Sequence, residues 1–328
     1  MAKRGIRIRG LNTITIGDAF EEFINDKAVE GLVTKTLENY VKNYRRFLEQ
    51  EFDDDDTIDI NSVSKIYVQQ WKESMLEQGM RITTLNTYLR DVRVFLYWCM
   101  DDERRYIEIP YKISLVKGQE PLPKCFTDEE VIALLQKPTN VEDYVEWRTW
   151  LMVNWVVATG NRASSVLDVR LGDIDFNSGR IAIRHNKNKK AQIISMADTL
   201  KPILKDYIKA YRYGESAEAY LFADYTTNGE LSYNGLRQAF KRYCEARGVS
   251  KTNLHGLRHY FASRWIRGGG SGDKLQKVLG HSTYTMTQRY ITLESQDVAE
   301  DFDRFNPLNN LTTSKPKRKA VSYNGNKR

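Results

Sequence analysis

Apolar residues recur every three or four positions through most of the first hundred residues, which is the spacing of a helix with one buried face. The clearest stripe consists of Leu37, Tyr40, Val41, Tyr44, Phe47 and Leu48. Similar stripes follow Ser64 and Thr83, and a shorter one covers 16–24. The pattern predicts four helices joined by polar turns, and therefore a compact all-α domain over residues 11–106.

The helical pattern stops between 107 and 124, where Pro110, Gly118, Pro121 and Pro123 occur. Because proline lacks an amide proton and disfavours helix, this stretch predicts an extended linker. A capping-box motif, Thr127 to Glu130, then predicts the start of a helix and of a second domain over 125–306. Helical patterns in that domain cover about 128–136, 142–158, 198–213, 233–247, 255–267 and 273–305.

One segment of the second domain, 173–196, alternates apolar and polar residues instead. Arg180–Arg184 alternates strictly, and Gln192–Ser195 follows after a polar turn. This period of two is typical of half-buried strands, so it predicts a small hairpin or three-stranded sheet. The predicted fold class is therefore mainly α, with one small β-sheet inside a mostly helical second domain.

The charge of the chain is concentrated at its ends. The 328 residues include 50 Lys and Arg and 43 Asp and Glu, which gives a net charge of +7. Residues 1–10 contribute +4 and residues 307–328 contribute +6, so the body between them is slightly acidic. A basic chain suggests a polyanion partner, but this excess describes two basic tails and not a domain.

The remaining composition excludes several classes of protein. Three cysteines lie far apart without a CxxC pair, so we expect neither a disulfide framework nor a zinc site. The most apolar stretch, 151–158, is far shorter than the roughly 20 residues that span a bilayer. The N-terminus lacks the apolar region of a signal peptide. We therefore expect a cytoplasmic protein with no membrane partner.

Candidate chemistry is found only in the second domain. Arg162 follows a Thr-Gly turn, which alone would indicate no more than a structural or surface arginine. His255 and Arg258 are three residues apart on a predicted helix and so share a face, where they can address one phosphate together. The neighbouring His259 is predicted to point elsewhere on the helix, and to serve either in packing or in supporting the residues that contact the substrate.

Two further motifs complete the set. His281 lies in Leu-Gly-His-Ser over 279–282, and Arg-Tyr follows at 289–290. Because the chain has nineteen tyrosines, chemistry alone does not choose Tyr290 over Tyr284 or Tyr260. A polar turn over 186–190 adds lysines that are, in most proteins, simply solvated: Lys187, Lys189 and Lys190.

Taken together and in order, these motifs resemble those of the tyrosine recombinase, or phage integrase, family. The resemblance covers the whole second domain as a catalytic domain, and the four N-terminal helices resemble the family's core-binding (SAM-like) domain. Too few residues precede residue 11 for a separate arm-binding domain, so the two-domain type is expected.

The resemblance implies a DNA strand-transfer reaction. Tyr290 would attack a phosphodiester and form a 3′-phosphotyrosyl bond, while Arg162 and Arg258 would hold the non-bridging oxygens and stabilise the transition state. A free tyrosine has a pKa of about 10 and so keeps its proton at neutral pH. The phenol therefore needs a proton acceptor, and the resemblance assigns that role to His255. His281 would hydrogen-bond the phosphate.

The resemblance also implies that Lys187 protonates the leaving 5′-oxygen, with Lys189 or Lys190 as substitutes. No metal or other cofactor is expected, because arginines supply the positive charge. The expected partners are double-stranded DNA and further copies of the chain, as a tetramer on DNA.

One position departs from the family pattern. The acid that usually follows the first arginine by three residues is here Ser165, although Asp168 lies one helical turn further on. This leaves open a catalytically silent DNA-binding regulator on the same fold, and, more remotely, a phosphotransferase for a small substrate. A helix predicted around 298–305 would dock on a neighbouring protomer or on its own domain.

Overall fold

The structure is a computed structural model that describes residues 14–118, 125–184 and 192–294. The chain divides into two compact units, Met1–Leu122 and Pro123–Arg328. Within the described residues, no helix is both long enough and apolar enough to cross a membrane. The lysine-rich turn with Lys187, Lys189 and Lys190, the predicted helix around 298–305 and both basic tails lie outside the described residues.

The first unit contains four helices: α1 (Ile16–Val29), α2 (Thr34–Phe52), α3 (Lys65–Glu77) and α4 (Ile82–Cys99). Their apolar stripes meet in one core, as their spacing predicts. Aromatic rings form its centre, with Phe20 stacked on Tyr44 at a centroid distance of 3.7 Å and Phe95 edge-on to both. The acidic residues after α2 form a turn in which Asp53 and Asp54 adopt left-handed backbone conformations.

Residues 107–118, the first part of the predicted linker, bend at 107–109 and then continue as extended chain, packed on the first unit. Ile107 and Ile113 are buried in its core. Tyr111 donates a hydrogen bond from Oη to the Val63 carbonyl at 2.7 Å, and Asn86 holds the backbone of Val116 with two bonds of 2.9 Å. This extended chain is therefore part of the first unit's packing.

The second unit is built around α6. Its helices are α5 (Asp128–Leu135), α6 (Tyr144–Thr159), α7 (Ala163–Val166), α8 (Leu200–Tyr211), α9 (Tyr233–Ala246), α10 (Leu254–Arg267), α11 (Gly272–Leu279) and α12 (Thr285–Glu294). Helix α6 is apolar on nearly all sides and packs against α5, α8, α9 and α10, as a helix without a solvent face must. The Thr127 and Glu130 capping box starts α5 as predicted.

A small antiparallel sheet covers one side of this unit. Its strands are β1 (Ile174–Asp175), β2 (Arg180–Ile183) and β3 (Gln192–Ser195), in that order. Ile181 and Ile183 of β2 point into the core, whereas Arg180 is exposed, which is the alternation seen in the sequence. The fold class is thus confirmed as mainly helical with one small sheet.

Candidate active site

The end of α6 provides the first part of the site, and a glycine makes it possible. Gly160 ends the helix with φ at +67°, a conformation that favours glycine. A Cβ atom there would lie 2.4 Å from Cδ1 of Phe261 on α10 and 2.7 Å from Cδ2 of Leu279 on α11. The absence of a side chain therefore lets the α6 terminus lie directly against both helices.

Arg258 joins the same three helices. Its side chain is almost fully buried, with 2% of the residue surface exposed. Nη1 donates to the carbonyl of Gly160 and Nη2 to that of Leu279, each at 2.9 Å. Within the described residues it has no carboxylate partner, so burial and nearby Arg162 lower the pKa of Arg258 to about 10. A buried cation held only by carbonyl dipoles favours an anion beside it.

Arg162 follows Gly160 and lies at the start of α7, where it is half-buried. Its charge contributes to lowering the pKa of His255, Arg258 and His281, which places it in their electrostatic neighbourhood. Because two like charges close together repel, the pair of arginines is stabilised when an anion lies between them. Arg162 is therefore brought together with Arg258 as the motif order implies.

The position that usually carries an acid is buried and neutral here. Ser165 lies inside α7 with 6% of its surface exposed. Asp168 follows the end of α7 and lies 3.4 Å from Nη2 of Arg170. Asp168 is the residue expected to replace the missing acid. In the structure it forms an ion pair with Arg170.

His255 lies at the start of α10, where the side chain of Asn253 caps the helix by accepting from the His255 amide at 3.0 Å. The imidazole keeps a solvent-accessible face. Partial desolvation, followed by Arg258 and Arg162, lowers its pKa. Its ring meets the ring of His259 edge to face, with centroids 4.7 Å apart.

His281 lies just after α11, which ends at Gly280 in a left-handed conformation. Its Nδ1 is 2.8 Å from Oγ1 of Thr287, which is completely buried on α12. The imidazole plane is nearly parallel to the Tyr290 ring at a centroid distance of 6.5 Å. Burial, with Arg258 as the largest charge effect, lowers the pKa of His281 to about 4, so the ring is neutral at neutral pH.

Tyr290 lies on α12 and exposes only 4% of its surface. Its Oη is 2.7 Å from Nδ1 of His259. Burial raises the pKa of the phenol, although Arg258, Arg289 and Arg162 act in the opposite direction. Tyr290, which chemistry alone could not single out, thus contacts His259 and His281 and feels the charges of Arg162 and Arg258.

The predicted orientation of His259 was wrong, because this residue faces the site and contacts Tyr290. At about 100° per residue, a residue four positions after His255 is rotated by only about 40° from it. The i, i+4 spacing was therefore a signal that the residue shares the face of His255. Tyr290, in contrast, has no hydrogen bond to His255 among the described residues.

Comparison with known proteins gives a consistent result. A model of the phage integrase family matches residues 124–297. The chain is 25% identical over 305 residues to tyrosine recombinase XerD of Staphylococcus epidermidis, spanning 90% of this chain and 99% of that protein. It is 26% identical over 298 residues to tyrosine recombinase XerA of Saccharolobus solfataricus, spanning 87% and 92%.

Solved structures show the same fold. A lambda integrase dimer bound to a COC′ core site matches with a TM-score of 0.68 at 19% identity, over 87% of this chain and 79% of that one. The XerH recombinase bound to palindromic difH substrate, a post-cleavage complex, matches with a TM-score of 0.65 at 18% identity, over 87% and 83%.

Proposed function

Because this chain belongs to the phage integrase family, we propose that it is a site-specific recombinase that cleaves and rejoins double-stranded DNA through Tyr290. The observation that carries the proposal is one buried tyrosine that contacts two histidines, His259 and His281, and lies in the field of Arg162 and Arg258. These residues come from segments more than a hundred positions apart, from the end of α6 to α12. An arrangement of cations around a tyrosine hydroxyl suits attack on a phosphodiester.

In this proposal the arginines bind the scissile phosphate. Arg162 and Arg258 donate to its non-bridging oxygens, where negative charge increases in the transition state. A guanidinium has five N–H donors, and the two bonds from Arg258 to backbone carbonyls leave the others for phosphate. His281, held by Thr287, and the solvent-accessible His255 add hydrogen bonds to the same group.

Cleavage then exchanges one ester for another. The Tyr290 oxygen forms a bond to phosphorus, and the bond from phosphorus to the 5′-oxygen breaks, leaving a 3′-phosphotyrosyl link. Lys187 supplies the proton for the leaving 5′-oxygen in this scheme, by resemblance to the family. Attack by a 5′-hydroxyl of another strand reverses the step and rejoins the DNA without an external energy source.

Strand exchange requires more than one active site, so we propose that the protein works as an oligomer on DNA. Among proteins of this fold, lambda integrase has been seen as a dimer on a core site and as a tetramer on a Holliday junction. A tetramer assembled on two DNA sites fits this chain. We further propose that the protein acts in the cytoplasm, bound to chromosomal DNA.

A covalent-capture experiment tests the proposal. The full chain is incubated with a library of duplexes that carry a random central sequence and a nick, which lets the short cleaved product diffuse away. Protein-linked DNA is then recovered in SDS and sequenced. We expect wild type to trap a defined sequence class and Tyr290→Phe to trap none.

Tyr284→Phe is the matched control, because Tyr284 is exposed and on the adjoining turn, and it should trap DNA like wild type. Specific DNA binding without any adduct would refute the enzymatic function and indicate a silent regulator. Equal trapping by Tyr290→Phe would refute the choice of nucleophile.

A further inference from the structure

His259 is the one side chain hydrogen-bonded to the nucleophile within the described residues, and the family resemblance gave it no role. Its Nδ1 is 2.7 Å from Oη of Tyr290, and its ring centroid is 5.5 Å from that of the tyrosine. We propose that His259, and not His255, takes the phenolic proton when Tyr290 attacks phosphorus. This inference rests on the proposed function and concerns the same site.

The surroundings of the pair keep His259 in the form that accepts a proton. The charged and titratable groups that act on it or on Tyr290 are His255 and Arg258 on α10, Arg289 on α12, Arg162 after α6, and Cys125 before α5. His281 faces the same tyrosine ring. Among the residues that the structure describes, the groups acting on this pair include no carboxylate that would favour an imidazolium.

The protonation state follows from these neighbours. Burial, His255, Arg258 and Arg289 together lower the pKa of His259 to about 4, so its ring is neutral at neutral pH. With the proton on Nε2, the free Nδ1 faces Tyr290 and the phenol donates to it. Burial raises the pKa of Tyr290, so the phenol keeps its proton until an acceptor takes it.

His255 is less well placed for that role. It lies in the first turn of α10 and keeps an accessible face, and the described residues show no hydrogen bond from it to Tyr290. Its ring instead packs against the ring of His259, with the two centroids 4.7 Å apart. It can therefore bind phosphate with Arg258 while His259 performs the proton transfer.

The step balances as a general-base reaction. The O–H bond of Tyr290 breaks, its proton forms a bond to Nδ1 of His259, and the oxygen electron pair forms the bond to phosphorus. The leaving 5′-oxygen departs with the electrons of its bond and takes a proton from a separate donor. His259 afterwards returns its proton to the phenol when a 5′-hydroxyl attacks the phosphotyrosine, or releases it to water.

The test compares His259→Asn with His255→Asn in single-turnover adduct formation. Asparagine presents an amide oxygen near the position of Nδ1, so it keeps the hydrogen bond to Tyr290 but has no basic nitrogen. The probe is a nicked duplex selected by covalent capture, with sulfur in place of the bridging 5′-oxygen, so that leaving-group protonation does not limit the rate.

With His259→Asn we expect a rate at neutral pH about 10²- to 10⁴-fold below wild type, the usual range for general-base catalysis. That rate should rise by roughly tenfold per pH unit between about pH 6 and 9, as tyrosinate becomes available without a base. The rates of wild type and His255→Asn should not change with pH over this range, although His255→Asn is slower than wild type at every pH. Added imidazole should restore activity to His259→Ala.

Several results would overturn the inference. One is a rate of adduct formation in His259→Asn that is close to wild type and independent of pH. Another is a rate in His255→Asn that rises tenfold per pH unit. A third is a folded His259→Ala variant whose activity imidazole does not restore. A faster rate in His259→Asn would show that His259 restrains the tyrosine. Failure of wild type to form any adduct would instead count against the proposed function, and unchanged gel-shift affinity of each variant excludes a defect in DNA binding.

Discussion

Replacing Gly160 by alanine should destabilise the second unit much more than the same change at Gly248. Both glycines follow a helix in the left-handed conformation, with φ of +67° and +69°. An L-residue in this conformation costs about 1–2 kcal/mol at either position. At Gly160 the new methyl group also lies 2.4 Å from Phe261 and 2.7 Å from Leu279, whereas at Gly248 the described part of the chain places no atom beyond the adjoining residues within 4 Å.

Overpacking of this kind adds about 1–3 kcal/mol, so Gly160→Ala should cost about 2–5 kcal/mol in total. Equilibrium urea unfolding of both full-length variants measures the difference directly. Because Arg258 donates to the Gly160 carbonyl, only Gly160→Ala should also impair adduct formation. Equal destabilisation of the two variants would refute the packing argument, since backbone conformation alone would then explain both costs.

Three further predictions concern the groups that hold the site together. Arg258→Lys keeps the charge but replaces the two separate Nη donors with one ammonium nitrogen on a shorter side chain, so unfolding measurements should show a loss of about 1–3 kcal/mol. A stability within error of wild type would show that the two bonds to Gly160 and Leu279 do not hold the helices together. Thr287→Val removes the partner of His281 Nδ1 and should slow adduct formation roughly tenfold, with gel-shift affinity unchanged; an unaltered rate would show that His281 needs no such support. Burial and nearby charges lower the pKa values of His259 and His281 to about 4 in the folded state, whereas histidine in the unfolded chain has a pKa of about 6.5. Between these two pH values the unfolded state therefore binds more protons than the folded state. Stability should therefore fall as pH drops through that window, by at most about 1.4 kcal/mol per pH unit for each histidine, and by less in His259→Asn; urea unfolding that is independent of pH over this window would contradict it.

Much of the fold could be predicted because it obeys local rules. The capping box at Thr127, the alternation over 180–184 and the helical stripes of α2 and α4 each carry their own period or motif. The packing of residues 107–118 could not be predicted in this way. Extended chain that is buried through single contacts, such as those of Ile107 and Ile113, leaves no repeat in the sequence.

The site shows the same division. The two arginines and His281 could be located from motif order, but their neighbours depend on where α12 lies against α10. Whether Tyr290 meets His255 or His259 depends on the packing of two helices that are separated by α11. Helical spacing restricts the choice to one face of α10, and only tertiary contact selects between two histidines one turn apart.

The two bonds from Arg258 to the carbonyls of Gly160 and Leu279 bear on how such a protein could lose its activity. A descendant that abandoned strand cleavage would still need this arginine to keep three helices together, so selection for a stable fold would retain it. Arg162, which makes no ion pair among the described residues, would have no such protection. In chains of this architecture, an arginine at the position of Arg162 should therefore indicate retained catalytic activity better than an arginine at the position of Arg258.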